Sequence, residues 1–253
     1  MDPSRLELND RLIVAADFKC EPGEGASVLE AKLLKLVDKL AGTGAIFKFN
    51  SALRALGLYR VAELMQERGV RFFADLKLVD IPATLKADGS FLRETKPAIV
   101  TVMANADVAG MRALREAMSP ESFLLAVTVL TSLDDARCQE VYGCSAVEGV
   151  MRFAPLALEA GANGLILSPK EVAVVRGNQR FNEQLLVTPG IRFEDSPPDD
   201  QKRTMTPREA INAGAQMLVV GRPIVGATDP RVAYLRFIEQ IEQGIIDTNI
   251  RGC

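Results

Sequence analysis

The chain has 253 residues, 25% of them charged and 48% hydrophobic, an ordinary globular composition, and its net charge of -3 argues against nucleic acid or an anionic membrane surface as the main partner. It contains no histidine. That excludes a Ser-His-Asp triad, a Cys-His pair and histidine-ligated zinc or iron, and leaves proton transfer near neutral pH to Lys, Asp, Glu, Cys, Tyr or water.

The N-terminal stretch MDPSRLELNDR is polar and lacks the apolar core of a signal peptide. No apolar run approaches the ~20 residues of a membrane span. The cysteines Cys20, Cys138, Cys144 and Cys253 form no CxxC pair, so the expectation is a reducing, cytoplasmic setting.

Eight short apolar runs rich in Val, Ile, Leu and Phe follow, at residues 12–17, 45–49, 72–78, 98–104, 123–130, 164–168, 185–190 and 217–221. Most are succeeded by a stretch of helical period, such as Val28 to Leu40, Leu53 to Met65 and Val232 to Ile241. Strands alternating with helices predict parallel pairing with right-handed crossovers. Eight such units fit one α/β fold, a closed (β/α)₈ barrel, at its usual length of roughly 250 residues. The alternative, an open doubly wound sheet, lacks its Gly-rich fingerprint: the turn after the first run reads AADFKCEPGEGAS. No linker or repeat divides the chain, so residues 1–253 read as a single domain. The irregular stretch RFEDSPPDDQKR, from Arg192 to Arg203, follows the seventh strand and reads as a mobile surface loop.

Alternate side chains of a barrel strand point inward. In FFADLKL (72–78) one set, Phe72, Ala74, Leu76 and Leu78, is apolar and belongs against the helices. The other set, Phe73, Asp75 and Lys77, carries two charges inside, near the strand's C-terminal end, and Asp80 follows just beyond. The first strand does the same with Ile13, Ala15 and Asp17, and the second with Ile46 and Lys48. Three neighbouring strands therefore send Asp17, Lys48, Asp75 and Lys77 to the end of the barrel where active sites of this fold lie. A purely structural ion-pair network is the competing reading, but burying such ions costs several kcal/mol each, and apolar packing is often more stable.

A second constellation lies late in the chain. The eighth strand runs into Gly221 and Arg222, and the loops after strands seven and eight of this fold often bind phosphate. Glycine permits close backbone approach, and arginine pairs bidentately with phosphate oxygens. Arg192 and Gln201 bracket the polar loop and add donors if it closes. Thr131 and Ser132, after the fifth strand, serve equally well as ligand contacts or as caps of the next helix.

Taken together, LIVAAD (12–17), Lys48, FADLKLVDIPAT (73–84), AVTVLTS (126–132), LVTPGIR (186–192), DQKRTMTPREAINAGAQ (200–216) and LVVGRPI (218–224) resemble the orotidine 5′-phosphate decarboxylase family, of the bacterial type, along almost the whole chain. The resemblance implies that orotidine 5′-phosphate is converted to UMP and carbon dioxide in pyrimidine biosynthesis, without a metal or an organic cofactor. It implies that Lys48, Asp75, Lys77 and Asp80 form the catalytic array, with Lys77 protonating C6. Asp17 and Lys48 would hold the ribose, Thr131 would lie near the pyrimidine, and Arg192, Gln201, Gly221 and Arg222 would bind the phosphate. It also implies a homodimer in which Asp80 and Thr84 serve the partner's site. The chain departs from the family at Phe49 and Asn50, where a Val-Gly pair is usual. It departs again at Met103, where histidine is usual, at Asn105 and Asp107 in a Gly-rich region, and at Ala83. Two other readings compete: a Mg²⁺-dependent sugar-phosphate decarboxylase or synthase of the same superfamily, and a non-catalytic nucleotide-binding barrel.

Overall fold

In the computed structural model, which describes residues 6–18, 21, 23–195 and 204–251, eight parallel strands pair in chain order and the last closes on the first. They are β1 (Leu12–Ala15), β2 (Ile46–Phe49), β3 (Phe72–Leu78), β4 (Ile99–Met103), β5 (Phe123–Val127), β6 (Gly164–Ile166), β7 (Leu185–Thr188) and β8 (Met217–Val220). The strand segments are short and rich in β-branched and aromatic residues, which suit a pleated surface buried on both faces. The predicted runs for β1 and β5 extend past the last paired residue, so Asp17 and Leu130 fall on the loops above the barrel.

The alternation of each strand divides the core in two. Inside the barrel lie Ile13, Ile46, Phe73, Ile99, Leu125, Val187 and Val219 among others. Their sequence neighbours, including Val14, Phe47, Ala74, Val100 and Leu186, face outward against the helices. Each fully buried Val, Leu, Ile or Phe contributes roughly 1.5–3 kcal/mol relative to exposure.

The helical shell begins with α1 (Ala26–Lys39) and continues as α2 (Ser51–Leu56), α3 (Leu58–Gln66), α4 (Pro82–Thr95) and α5 (Val108–Ala117). It is completed by α6 (Asp135–Tyr142), α7 (Ala146–Glu159), α8 (Pro169–Arg176), α9 (Pro207–Asn212), α10 (Arg222–Val225) and α11 (Pro230–Arg251). The stretch from Leu53 to Met65, predicted as one helix, is two. Gly57 takes φ +86°, outside the helical range, and α3 restarts beyond it. Local signals fix several starts: Ser145 with Glu148, and Thr206 with Glu209, form reciprocal capping boxes, and Ser168 caps α8. Among the described residues no helix is long and apolar enough to cross a membrane.

Candidate active site

The inward positions of β1 to β3 remain apolar from the bottom of the barrel upward until their C-terminal ends. There Lys48 follows Ile46, and Asp75 follows Phe73, both of them buried. The Lys48 ammonium donates to Asp17 Oδ2 at 2.8 Å and to Asp75 Oδ2 at 3.0 Å. The Lys77 ammonium donates to Asp75 Oδ1 at 2.7 Å. The four side chains thus form a continuous alternating chain, Asp17–Lys48–Asp75–Lys77, as strand parity predicts.

Burial acts against both inner charges, and their neighbours reverse it. Desolvation pushes the Lys48 ammonium down, but the Asp75 and Asp17 carboxylates outweigh it and hold its pKa above the ordinary lysine value. Desolvation likewise pushes the Asp75 carboxyl up, but Lys48 and Lys77 outweigh it and hold it below the ordinary carboxylate value. Both groups therefore stay charged across the neutral range.

The upper end of β3 is not a regular strand. Its ladder with β4 runs Phe73 to Ile99 and Ala74 to Val100, and then jumps to Leu78 opposite Val102. Asp75, Leu76 and Lys77 therefore bulge opposite Thr101 alone. Lys77 takes φ +50°, a left-handed conformation that costs a non-glycine residue about 1–2 kcal/mol. Two side chains take over hydrogen bonds at this bulge. Thr101 Oγ accepts the Lys77 backbone N–H at 2.9 Å and donates to Asp75 Oδ1 at 2.9 Å. On the other edge the Asn50 amide donates to the Asp75 carbonyl at 2.6 Å. Neither residue was singled out for this task by sequence. Thr101 reads as an ordinary β-branched strand residue. The available signal was parity, which turns Thr101 inward with Ile99 and Met103, beside Asp75 on the next strand.

Above the charged chain opens a cavity of about 600 Å³, a size suited to a small-molecule ligand. Asp17, Lys48, Asp75 and Lys77 form one wall, and Arg192, Gly221 and Arg222 line the same cavity. Phe73, Val127, Ile166 and Val219 give it apolar surface. Gly221 precedes the short α10, whose first residue is Arg222. A Cβ added at Gly221 would meet Ala15 at 3.5 Å, an ordinary contact, so crowding within the protein does not select glycine there. Gly190, at φ +80°, turns the chain at the top of β7 into the cavity wall. The next residues are anchored by a bridge between Ile191 and Met205, with the Arg192 N–H donating to the Met205 carbonyl at 3.0 Å.

Thr131 lines the cavity, and α6 is capped by Asp134, whose side chain accepts the Arg137 N–H. The capping alternative for Thr131 and Ser132 is thereby removed. Gln201 and most of the predicted loop, residues 196–203, lie outside the described residues. Asp80 and Thr84 stand apart from the cavity. Both are exposed, on and just before the first turn of α4, and Asp80 Oδ1 accepts the Ile81 N–H at 2.7 Å. Met103 does not line the cavity and packs against the barrel interior. Asp107, in the region where a Gly-rich turn was the comparison, takes φ +65°, a conformation that favours glycine. Among the described residues no group of three or more Asp, Glu or Cys side chains is placed to hold a metal ion.

Comparisons with known proteins show what the chain is similar to. A family model described as "Orotidine 5′-phosphate decarboxylase / HUMPS family" matches residues 10–237. The orotidine 5′-phosphate decarboxylase of Moorella thermoacetica is 36% identical over 252 residues, covering 94% of each chain. That of Methylobacterium sp. is 39% identical over 243 residues, covering 94% of this chain and 98% of its own length. The crystal structure of orotidine 5′-phosphate decarboxylase from Lactobacillus acidophilus matches with a TM-score of 0.74 at 29% identity, covering 91% of this chain and 98% of that one.

Proposed function

Because the chain belongs to the orotidine 5′-phosphate decarboxylase / HUMPS family, we propose that it converts orotidine 5′-phosphate to UMP and carbon dioxide, in pyrimidine biosynthesis and without a metal. The observation that carries this reading is the Asp17–Lys48–Asp75–Lys77 chain at the mouth of a cavity that Arg192 and Arg222 also line.

The chemistry asked of the site is narrow. The C6–carboxylate bond breaks, carbon dioxide departs, and the electron pair stays on C6, where the ring delocalises it poorly. A fixed cation close to C6 stabilises that charge as it develops. Lys77 supplies the cation and then the proton that forms the C6–H bond, its amine recovering a proton from solvent. Asp75 lies beside the carboxylate that leaves and holds the Lys77 ammonium in place through the 2.7 Å contact. Asp17 and Lys48 hold the ribose hydroxyls, and Thr131 lies near the pyrimidine. Arg192, Gly221, Arg222 and Gln201 receive the 5′-phosphate, whose binding energy is converted into alignment at the distant C6.

The same reading makes the protein a homodimer in which Asp80 and Thr84 complete the partner's site. It is supported by Val79 and Ile81, which flank Asp80 and are 58% and 65% exposed, as apolar side chains that a second copy would cover. The cytoplasmic, reducing setting rests on the sequence, whose four cysteines form no CxxC pair.

The test follows the loss of orotidine 5′-phosphate absorbance in wild-type protein and in Lys77→Ala, each with and without EDTA. Wild-type turnover is expected to be indifferent to EDTA, and Lys77→Ala to lose turnover by many orders of magnitude while still binding UMP. Near-wild-type kcat in Lys77→Ala overturns the role of Lys77. Orotidine 5′-phosphate left intact by the wild-type protein, together with turnover of a sugar phosphate that EDTA abolishes and Mg²⁺ restores, moves the protein to the metal-dependent sugar-phosphate branch.

A further inference from the structure

The β3 bulge leaves Lys77 with a problem at each end. Its backbone sits at φ +50°, where the regular ladder with β4 is interrupted, and its ammonium must point at one place above the barrel. One side chain addresses both. Thr101 is fully buried, with 0% of its surface exposed, so water does not substitute for it freely. Its hydroxyl has one proton to donate and lone pairs to accept with. It accepts the Lys77 backbone N–H at 2.9 Å and gives its proton to Asp75 Oδ1 at 2.9 Å. The same Oδ1 receives the Lys77 ammonium at 2.7 Å. A closed ring results, running from the Lys77 backbone through the Thr101 hydroxyl and the Asp75 carboxylate back to the Lys77 ammonium. The β-branch of threonine narrows its χ1 choices, so the hydroxyl is held rather than free to rotate away.

We infer that Thr101 is a positioning residue for the decarboxylation, setting the orientation of the Asp75 carboxylate and, through it and through the Lys77 backbone, the direction of the Lys77 ammonium. It does not line the cavity. Its effect therefore falls on the step in which Lys77 meets C6, and ribose and phosphate binding, which rest on other residues, are left alone. The inference rests on the decarboxylase reading.

Thr101→Val removes the hydroxyl at nearly constant shape, and Thr101→Ser restores it without the methyl group. For Thr101→Val, kcat is expected to fall about 10- to 100-fold, the loss typical of one hydrogen bond to a charged group, with KM and UMP affinity within about 3-fold of wild type. Thr101→Ser is expected to keep kcat within about 3-fold. A Thr101→Val kcat within about 2-fold of wild type overturns the inference, and so does an equal fall in Thr101→Ser, which would assign the effect to packing. If Thr101→Val does not fold, Thr101→Ala takes its place, and kcat for Ser must still exceed that for Ala about 10-fold. Wild-type protein that leaves orotidine 5′-phosphate intact removes the functional reading itself. Active wild type with an unaffected Thr101→Val removes only the role of Thr101.

Discussion

Replacing Asp75 by asparagine keeps the shape of the side chain and deletes one charge from the middle of the alternating chain. In the native protein its carboxylate accepts Lys48 at 3.0 Å, Lys77 at 2.7 Å and Thr101 at 2.9 Å. An asparagine has one carbonyl oxygen for these donors, and its amide turns further donors toward a lysine. Lys77 is about one-third exposed along its side chain, so water takes over much of its ammonium. Lys48 is not so placed: its side chain is 10% exposed, and its remaining partner Asp17, at 42%, is screened by solvent. The cost therefore falls on a buried cation that has lost its buried partner, for which 3–5 kcal/mol is usual. The surviving Asp17 contact puts the expected loss near the low end, ~3 kcal/mol, or roughly 6–12 °C in Tm for a domain of this size. Urea and thermal melts of the unliganded protein at pH 7 measure it. The pH dependence supplies a second check. The folded Asp75 pKa lies below its ordinary value, so its contribution is present above about pH 4 and is lost as the pH falls through the folded pKa. The gap between wild type and Asp75→Asn must then be level from neutral pH down to about 4 and shrink below it. A variant within ~0.5 kcal/mol of wild type at pH 7, or a gap that widens in acid, refutes the electrostatic account.

Two further outcomes follow from geometry elsewhere. A Cβ added at Gly164 on β6 would lie 2.2 Å from the Leu185 carbonyl oxygen, a backbone atom that cannot step aside. Gly164→Ala should therefore lower stability by ~3 kcal/mol or more while folded molecules keep their activity, and a melting temperature within about 2 °C of wild type would contradict it. Arg222→Ala should raise KM for orotidine 5′-phosphate by about 10- to 100-fold and barely alter the reaction of the nucleoside lacking phosphate. Equal effects on both substrates would remove Arg222 from the phosphate site.

The barrel and the inner part of its charged wall, Lys48 and Asp75, were legible because both depend on the two-residue period of a strand. Once Phe73 is inside, Asp75 must be inside too, and the same parity delivers Lys48 after Ile46. Features set by departures from regularity were hidden. The bulge at residues 75–77 adds residues to one strand without any glycine to announce it, so Thr101 read only as a good strand former and Asn50 only as an oddity. Gly57 was visible, but a glycine within a helical pattern does not by itself distinguish a tolerated residue from a break, and its φ of +86° decides for the break. Thr131 was ambiguous because threonine caps helices and binds ligands with the same hydroxyl. The ambiguity ended only when Asp134 was seen to hold the cap.

The left-handed backbone of Lys77 sets fold and chemistry against each other at a single position. Glycine adopts that conformation without cost, and a sequence under pressure for stability alone would drift toward it. The proposed reaction places an amine there, as the cation and proton donor at C6, and glycine supplies neither. Stabilising substitutions elsewhere in the barrel widen the margin within which that strain is tolerated. Increments of stability far from the mouth thus act as permissive changes for the active site, and their loss is felt first as a narrowing of the variants position 77 and its neighbours can survive.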